Sequence, residues 1–266
     1  MQDRETGAVR ANSLLGTPQP DRTETCQEHG EYLSRNVFGR VWTKCPKCDE
    51  DAKAKAEQAQ AARDKQDRQA RWEKKIGQSG IPLRFRDRTL PRFQVENDGQ
   101  AYALKFAEAF AEGFAGGNVP SRCAVFVGKP GTGKTHLACG IALRIMALYG
   151  ASALFTSVER MARRIREAKS FGAAETESEA IAVHVFPDLL ILDEVGMQSG
   201  TDAEARALFS VVNERYEQRK PTIFLSNFDL DQVRACLDER VFDRLREDGG
   251  QVISFDWDSM RGREAA

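Results

Sequence analysis

The chain has 266 residues, 41% of them apolar and 30% charged, with a formal net charge of −1. This suits a water-soluble α/β domain with a small appendage. No stretch approaches the roughly 18 apolar residues of a membrane span, and Met1–Glu5 offers no apolar core for a signal peptide, so a cytoplasmic protein without a membrane partner is expected.

Residues 1–23 mix Gly, Pro, Ser, Thr and charges without periodicity and are predicted to be disordered. Residues 24–50 are predicted to form a zinc-binding module. Cys26-x2-His29 and Cys45-x2-Cys48 are two tight chelating pairs, and the fifteen residues between His29 and Cys45 have room for a β-hairpin around Gly30–Trp42. Three thiolates and an imidazole suit tetrahedral Zn²⁺ with no open position, a structural site. Tyr32, Val37, Phe38, Val41 and Trp42 would make a miniature core too small to fold without such a staple. The other reading is a redox pair at Cys45–Cys48 beside an unrelated His29. Cys123, Cys139 and Cys236 stand singly among apolar or helical residues and are expected to be buried thiols.

Residues 51–79 read as a charged helical linker. From Asp51 to Lys75 there are eight Lys/Arg against five Asp/Glu with no interior Gly or Pro, and Trp72 and Ile76 are nearly the only large apolar residues. Its surface fits a solvated face and a nucleic-acid contact equally well. The remaining 80–266 form the main domain. An amphipathic helix is predicted over 100–115, and strands at 124–127, 153–156, 189–192, 222–226 and 252–255. Helical stretches separate the strands, the pattern of a parallel sheet covered on both faces.

The chemistry concentrates at strand ends. Gly128-Lys129-Pro130-Gly131-Thr132-Gly133-Lys134-Thr135 fits G-x-x-x-x-G-K-[ST], between the apolar run Ala124–Val127 and a helical pattern from Leu137 to Met146. Its backbone N–H groups would cradle phosphates, with Lys134 on the β- and γ-phosphates and Thr135 on Mg²⁺. Leu189-Leu190-Ile191-Leu192-Asp193-Glu194 brings a carboxylate pair to a strand's carboxyl end, where open α/β sheets bind ligands. Asp193 would serve the Mg²⁺ and Glu194 would activate water. Asn227, after Ile223–Ser226, would sense the γ-phosphate, or be a helix cap, since Asp229 and Asp231 follow. Arg240 and Arg244 share a helix face and are either trans-acting arginines or surface ion pairs with Asp238, Glu239 or Asp243. Glu159–Lys169 has five basic residues against two acids, followed by Phe171. That suits a single-stranded nucleic-acid path, or a surface helix with Met161 and Ile165 packed inward.

GKPGTGKT, LLILDEVG, LSN, ERVFDRLR and the closing Ser254–Ser259 together resemble the DnaC-type bacterial helicase loaders, in the DnaC/IstB-like group of AAA+ ATPases. The resemblance is collinear over about residues 72–262 and includes the lead-in Ser79–Phe85. It implies a P-loop AAA+ core that uses ATP and Mg²⁺, self-assembles with ATP, and loads a DnaB-type replicative helicase onto single-stranded DNA. It also implies that Asn227 is the first sensor, that Arg244 is the trans arginine with Arg240 its neighbour, and that the basic helix faces DNA. About ten residues follow the last strand, too few for the helical lid many AAA+ proteins carry, so hydrolysis is expected at subunit interfaces. Two alternatives stand beside this: an IstB-type transposition helper ATPase, and an ATP-gated adaptor with negligible turnover. The zinc module departs from the helical helicase-binding arm that usually begins such loaders.

Overall fold

The computed structural model describes residues 19–37, 39, 41–196, 201–237 and 239–260. The segment 1–18, Phe38 of the expected miniature core and Asp238 lie outside the described residues. The chain divides into two compact units, Met1–Ala70 and Arg71–Ala266.

In the first unit, β1 (Arg22–Cys26) pairs antiparallel with β2 (Gly30–Ser34), and the short β3 (Asn36–Val37) pairs with β4 (Val41–Trp42). Among the described residues the first strand starts at Arg22, at the edge of the segment 1–23. The expected hairpin at 30–42 is replaced by two. The first turns at Gln27–His29, because Cys26 opposite Gly30 closes the β1–β2 register there. Of the residues expected to make the miniature core, Tyr32 and Trp42 are half-buried, whereas Val37 and Val41 are not. Val37 and Val41 are 37% and 63% exposed, since a two-stranded ribbon has no second layer to cover its faces. Helix α1 runs Pro46–Gln78, opening on a proline at a position where no N–H is needed. Its charged surface is exposed, and Gly80, at φ +69, follows its end.

In the second unit, strands β5 (Ala124–Gly128), β6 (Ala153–Ser157), β7 (Leu189–Asp193), β8 (Thr222–Leu225) and β9 (Gln251–Phe255) form one parallel sheet in the order β6-β7-β8-β5-β9. Alternate side chains feed two cores, as the two-residue period of a strand requires. Phe126, Ile191 and Leu225 point to the side of α2 (Asp98–Glu112) and α3 (Lys134–Leu148), which Trp72 and Ile76 of α1 also cover. Val127, Leu192 and Phe224 point to the side of α4 (Val158–Ala168), α5 (Glu177–Val185), α6 (Asp202–Glu217), α7 (Leu230–Cys236) and α8 (Glu239–Arg246).

Helix starts are capped by sequence-local devices: Asn97/Gln100, Thr176/Glu179, Thr201/Glu204 and Asp229/Gln232 are reciprocal capping boxes. The separate thiols differ from expectation. Cys139 is buried and Cys123 half-buried, but Cys236 is exposed, because α7 buries only Val233.

Candidate nucleotide-binding cleft and metal cluster

The phosphate loop leaves β5 at Gly128 and enters α3 at Lys134. Two of its positions admit nothing but glycine. A Cβ on Gly128 (φ +130) would stand 2.2 Å from the Phe255 carbonyl oxygen of the neighbouring strand, and one on Gly133 (φ +98) would stand 2.6 Å from the Phe93 ring. Lys134 is buried and folded onto its own loop, donating to the carbonyls of Gly128 (2.6 Å) and Lys129 (2.8 Å), while Thr132 Oγ1 donates to Lys129 O at 2.9 Å. The segment after β9 secures the loop from outside. Trp257 Nε1 donates to Thr132 O at 2.9 Å, and Met260 N donates to Gly131 O at 2.9 Å. The Trp257 ring packs on Phe255 with centroids 4.9 Å apart.

β7 delivers the acids beside this loop. Asp193 Oδ1 accepts from the Glu194 N–H at 2.8 Å, and its carboxylate also hydrogen-bonds Thr135. Burial, its largest influence, pushes the Asp193 carboxyl above its ordinary value. Such a desolvated acid gains from an adjacent cation, and Asp193 with Thr135 forms the hard oxygen donor set that Mg²⁺ takes. Glu194 is exposed and held at φ 61. Ser226 locks the next strand end, donating to Val195 O at 2.7 Å and accepting from Phe228 N at 3.2 Å. The cap of α7 is Asp229, which leaves Asn227 an exposed side chain lining the cleft and not a helix cap.

Pro130, Gly131, Gly133, Lys134 and Thr135 thus share one cleft of about 660 Å³ with Asp193, Glu194 and Asn227. Arg84, Phe85, Arg88, His136 and Met260 line it too and were not foreseen as site residues. Only the Gly80–Pro82 break hinted that residues 83–88 would turn, and nothing local says where they turn to. Arg240 and Arg244 are not brought to this cleft within the subunit. Arg240 is exposed on α8. Arg244 donates to the Arg240 carbonyl at 3.0 Å, with its guanidinium 5.1 Å from the Phe209 ring centre and 5.5 Å from that of Tyr216.

Helix α4 turns inward the two apolar residues expected to pack there. Met161 and Ile165 are buried, while Arg164 is paired bidentately with Glu175 (2.8 Å each) and Lys169 with Glu177 (2.8 Å). Arg160 and Arg166 are exposed, and Phe171 is fully so.

In the first unit, Cys26, His29, Cys45 and Cys48 converge, their ligand atoms all within 4.8 Å of one another. The thiols at 26 and 48 are 3.4 Å apart, and His29 Nδ1 lies 3.3 Å from Cys48 Sγ, 3.8 Å from Cys26 Sγ and 3.9 Å from Cys45 Sγ. Tetrahedral bonds of ~2.3 Å to sulfur and ~2.0 Å to nitrogen demand edges of ~3.5–3.8 Å, so the donor set fits zinc. The turn's backbone N–H groups, those of Glu28 and His29 foremost, bring the Cys26 thiol down to about 6. The hydrogen bond to Cys26, then burial, pushes Cys48 up to about 12. An incidental His29 beside a redox pair does not describe this cluster.

The family model described as IstB-like ATP binding protein matches residues 120–266. The replicative helicase loader DnaC of Buchnera aphidicola subsp. Acyrthosiphon pisum is 33% identical over 186 residues, 70% of this chain and 74% of that protein. The replicative helicase loader DnaC of Escherichia coli (strain K12) is 32% identical over 204 residues, 76% of this chain and 81% of that protein. The crystal structure of the DnaC helicase loader shares the fold, with a TM-score of 0.57 at 22% identity, covering 65% of this chain and 99% of that one. No helix among the described residues is long and apolar enough to cross a membrane. With its phosphate loop, paired acids and five-stranded parallel sheet, the chain belongs to the DnaC/IstB-like family of AAA+ ATP-binding proteins.

Proposed function

We propose that this protein is an ATPase that loads a DnaB-type replicative helicase onto single-stranded DNA. The observation that carries it is the convergence of phosphate loop, Asp193, Glu194 and Asn227 on one cleft, in a chain a third identical to named helicase loaders. Lys134 would exchange its loop carbonyls for β- and γ-phosphate oxygens, and Thr135 with Asp193 would hold Mg²⁺, which neutralises phosphate charge when bound. Glu194 takes a proton as water attacks the γ-phosphorus and the bond to the bridging oxygen of ADP breaks. Asn227 orients the γ-phosphate or that water. Arg244, with Arg240 as neighbour, serves the γ-phosphate of an adjoining subunit in an ATP-dependent oligomer. Exposed Arg160, Arg166 and Phe171 would hold phosphates and stack a base of single-stranded DNA. Zinc on Cys26, His29, Cys45 and Cys48 is structural, a closed set of four donors.

Affinity capture of the purified replicative helicase of the same cell, with and without ATP and single-stranded DNA, tests this reading. Retention of the helicase, and its transfer to DNA, is expected. The family model's IstB description favours a second reading, a transposition helper, under which the helicase is ignored and a transposase is retained. Retention of helicase without ATP turnover in the assembled complex would identify an adaptor.

A further inference from the structure

We infer that Asp51 is the positioning residue of the metal cluster, and that it ties α1 to the β1–β2 turn through His29. The inference rests on the zinc reading given above. His29 turns Nδ1 toward the three thiols, and its other nitrogen, Nε2, lies 3.1 Å from Asp51 Oδ2. Only one tautomer serves both contacts: Nδ1 bare, to give its lone pair to the metal, and Nε2–H donated to the carboxylate. A carboxylate accepting from the far nitrogen fixes the tautomer, holds the ring plane and raises the basicity of the ligating nitrogen.

The placement on α1 gives this contact a second consequence. Cys48 and Asp51 are three residues apart on one helix and so share a face, and Cys45 stands immediately before Pro46. The start of α1 therefore meets the β1–β2 turn at two levels, by Cys48 and the preceding Cys45 inside the cluster and by Asp51, one turn further on, at the far edge of the imidazole. His29 is the part common to both. Asp51 is itself largely open to water, its side chain 59% exposed, so it is not there to support a core. Asp49, two residues earlier on α1 and also exposed, has the same charge but no ion pair with His29 among the described residues, which makes it the matched control.

The test uses the full chain and zinc alone. Zinc affinity is measured by competition with a chromophoric chelator for the wild type, Asp51→Ala and Asp49→Ala, and the His29 ring nitrogens are followed by NMR. Asp51→Ala is expected to bind zinc 10–100-fold more weakly with the same single-ion stoichiometry. Asp49→Ala should stay within about twofold. The Nε2–H signal should be protected from exchange with water in zinc-loaded wild type and lost in Asp51→Ala. Equal losses in both variants would reduce the effect to local charge and overturn the inference, as would unchanged affinity in Asp51→Ala. A wild type that takes up no zinc would instead overturn the zinc reading itself, and this inference with it.

Discussion

Glu194 is one of two non-glycine residues with positive φ among the described residues, at 61°, a conformation that costs on the order of 1–3 kcal/mol unless its surroundings enforce it. They do: its N–H is held by Asp193, and the next residue's N–H by Leu225 O at 2.9 Å. Replacing the carboxylate with an amide keeps this backbone but removes the proton acceptor. Glu194→Gln is therefore expected to bind ATP like the wild type and hydrolyse it at least about a hundredfold more slowly. Lys134→Ala should lose ATP binding, since the phosphates lose their buried cation. Equilibrium binding with a fluorescent ATP analogue and single-turnover hydrolysis check both. Arg215 plays a purely structural part. It is fully buried, its basicity lowered to about 9 by that burial, and no carboxylate among the described residues is hydrogen-bonded to it. It donates instead to Thr222 Oγ1 and to the carbonyls of His184, Val185, Pro187, Asp188 and Pro221. These join the end of α5 to the starts of β7 and β8, so Arg215→Leu strands several buried acceptors. Urea unfolding should show a loss above about 3 kcal/mol.

At the scale of elements, β9 and the residues after it do more than complete the sheet. β9 is an edge strand with Val252 exposed, yet Phe255 and Trp257 carry the aromatic stack from Phe126 to the rim of the cleft. The indole N–H then grips the phosphate loop at Thr132. Trp257→Phe keeps the ring and removes the donor. ATP affinity is expected to fall by about fivefold, the worth of roughly 1 kcal/mol for one hydrogen bond, with little change in unfolding midpoint. An equal loss of stability and affinity would assign Trp257 to packing alone. On α4, the cap Ser157 and the inward Met161 and Ile165 set the register, and Glu175 and Glu177 then meet basic residues on its flank.

At the scale of the whole molecule, two predictions separate the parts. Substituting Cys45 and Cys48 together with Ser should eliminate bound zinc and the structure of the first unit, while ATP binding by the second unit persists. Metal analysis with circular dichroism and nucleotide binding reads all three. The second concerns assembly. Arg244 rests on Phe209 and Tyr216, contacts worth only ~0.5–2 kcal/mol, which do not prevent it from turning toward a neighbouring subunit. Arg244→Ala is expected to keep ATP affinity but lose turnover in the presence of helicase and DNA. Mixing it with Lys134→Ala should restore part of the hydrolysis, because each chain supplies what the other lacks across an interface. Loss of turnover in Arg240→Ala alone would move the role one turn along α8.

The five core strands, the phosphate loop, the acid pair and the four metal-ligand candidates could be read from sequence because each is encoded by neighbours in the chain. Strand burial writes itself as apolar runs, the loop needs glycines at set spacing, and chelating pairs need two residues between them. What lies between distant segments could not be read this way. Trp257 and Thr132 are 125 positions apart, and no local pattern announces their hydrogen bond. The turn of residues 84–88 into the cleft, the carbonyl cage around Arg215 and the contact of Asp51 with His29 are likewise made by partners brought together only on folding. Val37 and Val41, expected in a miniature core with Tyr32, Phe38 and Trp42, stay exposed for the converse reason. An apolar side chain is buried only where a second layer covers it, and whether one exists is decided by tertiary structure.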